Sequence, residues 1–109
     1  MQTLGREENI RALIQRHPAV ILQFGTATCA PCTAIRRKLD QWGVRHPDVQ
    51  LRYIPIEAYP ELAAQEGILS APTVCVYIAG KLTLQKAGYF SLEELLQKTE
   101  RYLTYLGQE

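Results

Sequence analysis

Two uninterrupted apolar runs of strand length constrain this chain most. Ala19-Val20-Ile21-Leu22-Gln23-Phe24 and Thr73 to Ile78 show no alternation of polar and apolar positions. A strand with one solvated face alternates, so runs like these predict strands covered on both faces. The first is expected to be a central, parallel strand. Ile10, Leu13 and Ile14 before it repeat at helical spacing, and His17-Pro18 closes that helix because the residue before a proline is pushed out of the α region. Behind the first run, Pro31 opens a helix with Ile35, Leu39 and Trp42 on one face, ending between Gly43 and His46-Pro47. Val49, Leu51 and Tyr53 alternate with Gln50 and Arg52, the period of a half-covered strand. Pro60 and Gly67 bracket a short helix. After Pro72, the second run, the turn Ala79-Gly80-Lys81 and Leu82 to Ala87 form a hairpin. Ser91 with Glu94 makes a capping box, and Leu92, Leu95, Leu96, Leu103 and Leu106 stripe a last helix stopped by Gly107.

This order predicts an α/β fold: a central mixed sheet of four to five strands, flanked by helices on both faces, in one domain over residues 1–109. With 109 residues and 47% apolar composition, such a domain buries enough surface to need no disulfide or metal staple. Twelve basic against eleven acidic residues form no basic stripe, which excludes nucleic acid as a partner. Arg6, Glu7, Glu8 and Arg11 interrupt what a signal peptide would keep apolar, and no apolar stretch reaches 18 residues. A soluble, cytoplasmic, monomeric protein with reduced thiols is expected, without membrane contact.

Cys29-Ala30-Pro31-Cys32 falls where a buried strand hands over to a helix. Unpaired N–H groups and the positive end of the helix dipole stabilise a thiolate there, lowering its pKa below the free value of about 8.5. Residues three apart on a helix lie close enough to close a disulfide after a modest adjustment. Cys29 is expected to be exposed at the cap, with Cys32 one turn inside. A four-ligand metal site would need Cys75 plus His17 or His46, which lack a second paired spacing, so no metal is expected. Cys75 reads as an inert core thiol, Arg36-Arg37-Lys38 as a solvated face, and both histidines as cap or surface residues.

From about Ala19 to Leu106 the chain resembles the thioredoxin family: strand, Cys-x-x-Cys helix, strand, short helix, Ala71-Pro72-Thr73, hairpin, Gly88 and final helix. The resemblance implies a thioredoxin-like fold. It makes Cys29 the nucleophile, Cys32 the resolving thiol, Pro31 the proline of the motif, Pro72 a cis-proline facing the thiols, and Gly88 the glycine of a substrate groove. Thr28, Ala30, Ala71 and Tyr89 complete the implied client-binding surface. The family's first strand is expected to be absent or vestigial. Thr28 and Gly25 stand where the family has tryptophans, Ala30 where it has glycine, and Arg37 where a proline kinks the helix. Gln23 replaces a buried aspartate and Tyr53 its lysine neighbour, so both modulating charges are gone together. The implied activity is reduction of disulfides in client proteins through a Cys29/Cys32 dithiol–disulfide cycle, without a bound cofactor, recharged by a thioredoxin-reductase-like electron donor. The competing reading is a binding module that recognises a client through the groove of Ala71, Gly88 and Tyr89 without turnover.

Overall fold

A computed structural model describes residues 1–107 and contains one five-stranded mixed sheet with four helices. In chain order the elements are β1 (Gln2–Thr3), α1 (Ile10–Arg16), β2 (Ala19–Gly25), α2 (Ala30–Val44), β3 (Gln50–Pro55), α3 (Pro60–Gln65), β4 (Thr73–Ile78), β5 (Lys81–Ala87) and α4 (Leu92–Gly107). Across the sheet the strands run β1-β3-β2-β4-β5. β2 is parallel to β3 and antiparallel to β4, so the strand expected to be parallel is parallel on one side only. Every residue of β2 and of β4 is buried, as their unbroken apolar runs require.

Alternate residues of those strands feed two cores. Val20, Leu22, Phe24, Cys75 and Tyr77 pack with Ile10 and Ile14 of α1 and Ala63 of α3. Ile21, Val74, Val76 and Ile78 pack on the opposite face with Leu39 and Trp42 of α2 and Leu92, Leu95 and Leu96 of α4. The Ser91 hydroxyl caps α4 by accepting the Glu94 N–H at 3.1 Å. Ala79 and Gly80 turn the hairpin with φ of 52° and 81°, the left-handed pair that matches strand twist.

One expectation needs correction and another is narrowed. β3 is not half-covered: Arg52 and Ile54 are buried on the face opposite Leu51. Arg52 is kept there by Glu8, whose carboxylate accepts from its Nε and Nη2 at 2.9 to 3.1 Å, so a charge takes a covered position because its partner comes from a distant loop. The first strand is vestigial rather than absent, since Gln2 and Thr3 pair with Arg52 and Tyr53.

Candidate active site

Sheet register, not sequence proximity, assembles the site. Phe24 pairs with Thr73, Thr73 with Ala87, and Gly25 with Pro55. The loop after β2, the turn after β3, the segment before β4 and the segment after β5 therefore meet at one end of the sheet. Cys29 is the N-cap of α2, with extended backbone (φ −92°, ψ 98°) and no capping side chain, and Pro31 follows within the first two helical positions. The Cys29 carbonyl accepts the Cys32 N–H at 3.2 Å, which folds one cysteine over the other. Their Cα atoms are 5.3 Å apart and the two thiols are joined in a disulfide.

Exposure separates the pair. Cys29 is half-buried, and Thr28, Ala30 and Pro31 around it are exposed, whereas Cys32 is only 2% exposed. At the same sheet end, the Ala71-Pro72 bond is cis, and the Pro72 carbonyl accepts the Gly88 N–H at 2.9 Å. Gly88 has φ of 74°, a left-handed conformation that favours glycine. Tyr89 beside it is fully exposed. Thus the residues singled out in sequence gather at one sheet end.

Gln23 and Tyr53 are register partners on β2 and β3. Gln23 is wholly buried, and its Nε2 donates to the Cys32 carbonyl at 2.9 Å. Tyr53 occupies the room that glycine leaves at position 25: a Cβ there would come within 2.9 Å of its ring carbons and closer still to its hydroxyl. The Arg36 guanidinium lies over that ring, 4.2 Å from its centroid. Arg36 also donates to the Met1 carbonyl and the Thr3 hydroxyl, so it departs from the solvated face expected of Arg36-Arg37-Lys38.

Sequence reasoning missed two further neighbours. Glu57, in the turn after β3, accepts the Ala27 N–H at 2.7 Å, which ties down the loop leading to Cys29 and holds the Glu57 carboxyl below its ordinary pKa. Nothing local marks such a contact, because the partner is a backbone group. Leu69 is 97% exposed just before Ala71-Pro72, an apolar residue whose neighbourhood to the proline was the available signal. Cys75 lies outside the site: burial, then the nearby Glu66 charge, push its thiol up to about 12. No cluster of three or more metal-binding side chains occurs among the described residues, and no helix there is long and apolar enough to cross a membrane.

Three comparisons bear on this arrangement. A family model described as Thioredoxin matches residues 2–101. The thioredoxin of Alicyclobacillus acidocaldarius is 30% identical over 90 residues, covering 82% of this chain and 86% of that protein. The thioredoxin-like protein YdfQ of Bacillus subtilis is 27% identical over 105 residues, covering 92% of this chain and 90% of its own. The X-ray structure of Fasciola hepatica thioredoxin shares the fold with a TM-score of 0.81 at 21% identity, over 94% of this chain and 99% of that one.

Proposed function

Because the chain belongs to the thioredoxin family and carries the Cys-x-x-Cys pair closed into a disulfide, it is a thiol–disulfide oxidoreductase, and we propose how its residues divide the work of reducing protein disulfides. Cys29 is the nucleophile. In the reduced protein its sulfur stands at the start of a 15-residue helix, where the free N–H groups of the first turn favour the thiolate. The thiolate attacks one sulfur of a client disulfide, and the other client sulfur leaves as a thiolate that takes a proton from water. Cys32 then attacks the Cys29 sulfur, and its proton passes to the second client sulfur, which leaves as a thiol. Two electrons have passed to the client, and the Cys29–Cys32 bond that remains is reopened by a thioredoxin-reductase-like donor. No cofactor enters any step.

The unequal exposure of the two cysteines carries this assignment, since a client sulfur can approach half-buried Cys29 and not Cys32. Thr28, Ala30, Pro31, Ala71, Pro72, Gly88 and Tyr89 form the surface on which the client rests, with Leu69 as a further apolar contact. The chain works as a single domain and a monomer, and a reductant of this kind belongs in the cytoplasm, where surrounding thiols favour its dithiol form. Substitution tests the roles: Cys29→Ser abolishes reduction of a model protein disulfide, and Cys32→Ser accumulates covalent client complexes that dithiothreitol releases. Complexes trapped by Cys29→Ser and not by Cys32→Ser reverse the roles. Client binding by the wild type without turnover selects the binding-module reading.

A further inference from the structure

Gln23 holds an acceptor that the oxidised protein does not use. Its side chain is wholly buried, and its Nε2 donates to the carbonyl of Cys32 at 2.9 Å. A carbonyl only accepts, so the carboxamide nitrogen must face it and the position of the oxygen follows. That oxygen, Oε1, is buried without a hydrogen-bond partner in the protein. Neither flanking strand supplies a donor side chain, because the partner on β4 is Val74 and the Tyr53 hydroxyl on β3 lies over Gly25. Buried polar atoms are nearly always paired, so an orphan on the side chain that bonds Cys32 calls for a state in which it is satisfied.

Reduction creates that state. Two glutathione thiols supply two electrons and two protons, the Cys29–Cys32 bond breaks, Cys32 gains an S–H, Cys29 is left as the thiolate with the second proton released to solvent, and glutathione becomes a disulfide. Cys32 stays buried, so its new S–H needs an acceptor inside the protein, and the carboxamide already bonded to its carbonyl offers one. We propose that Gln23 Oε1 accepts the Cys32 S–H in the reduced protein, and that Gln23 thereby sets the redox poise of the pair by favouring the dithiol. This rests on the Cys29/Cys32 cycle and adds a residue that tunes its driving force. Stabilising the reduced form raises the potential and makes the protein a milder reductant than the same fold with an apolar side chain at position 23.

The test is equilibration of the full chain, as wild type and as Gln23→Met, with graded mixtures of reduced and oxidised glutathione at pH 7, read by thiol alkylation and mass. Methionine fills the space and removes the acceptor. The expected result is an equilibrium displaced about tenfold towards the disulfide in Gln23→Met, equivalent to about 30 mV. Urea midpoints of the two redox forms should agree, with the reduced form losing more than the oxidised one. A role in packing alone lowers both forms alike and leaves the equilibrium in place, so a change under twofold, or one towards the dithiol, overturns the proposal. If Gln23→Met does not fold, Cys29→Ser with Cys75→Ala leaves Cys32 as the sole thiol, whose infrared S–H band is expected at the lowered frequency of a hydrogen-bonded donor. A band at the free-thiol frequency refutes the contact. A wild type that fails to exchange with glutathione at all overturns the cycle itself.

Discussion

Adding one methyl group at position 25 is expected to unsettle the wall of the active site. The Cβ of Gly25→Ala would stand 2.9 Å from two ring carbons of Tyr53 and nearer still to its hydroxyl, inside the distance any real contact keeps. The ring cannot back away freely, because the Arg36 guanidinium covers it at 4.2 Å and is itself bonded to the Met1 carbonyl and the Thr3 hydroxyl. Overpacking of this kind costs about 1 to 3 kcal/mol. Loss of the guanidinium stacking adds about 0.5 to 1 kcal/mol. Against these, alanine restricts the unfolded chain and returns about 0.4 to 1 kcal/mol. The clash wins, and the net loss is about 2 kcal/mol. With a slope of about 2 kcal/mol per molar urea, the midpoint should fall by about 1 M. A double-mutant cycle with Tyr53→Ala isolates the cause: in the Tyr53→Ala background the atoms nearest the methyl are gone, so the coupling energy should exceed about 1 kcal/mol. Strictly additive effects, or an unchanged midpoint for Gly25→Ala alone, would refute the shared-space argument.

Two further outcomes follow from groups away from the thiols. The Arg52 guanidinium, and then the Gly5 N–H, hold Glu8 below its ordinary value of 4.5, so this interaction stabilises the fold above that value and is lost as pH falls through the lowered one. Arg52→Met should therefore cost about 1 to 3 kcal/mol near pH 7, with a gap to wild type that narrows on acidification, and a gap constant from pH 7 to pH 3 in urea titrations contradicts the pairing. Cys75, raised from 9.0 to about 12 by burial and the Glu66 charge, should alkylate at pH 8 at least a hundredfold more slowly in the folded reduced protein than in urea. Comparable labelling rates by mass spectrometry would disprove its seclusion.

Elements with a local cause were legible in the sequence, and those with a distant cause were not. The apolar runs of β2 and β4, the Ser91 cap and the glycine behind α3 each follow from neighbouring residues alone. The placement of Cys29 at a helix start was equally local, as a strand followed by Cys-Ala-Pro-Cys. Arg52 was misread because its burial depends on Glu8, and periodicity cannot register a partner from another segment. Gly25 stands where the resemblance implies a tryptophan, yet Tyr53 fills the space from the next strand, a substitution visible only across the β2–β3 register. Likewise Glu57 reaches a backbone N–H, which carries no sequence signature.

The central position of β2 also fixes an order of events during synthesis. Its neighbour on one side is β3, and on the other it must wait for β4, since Phe24 is paired with Thr73. Pairings between segments so far apart close late. At about 5 to 20 residues per second, a nascent chain carries Cys29 and Cys32 for a time on the order of seconds before β4, the second partner of β2, exists. Both thiols are thus open to oxidants and to one another while β2 lacks its second partner. Cys75 is made within β4 and lies opposite Leu22. It enters the core in the same event that gives β2 its second partner, which leaves little interval for a wrong disulfide with the earlier pair.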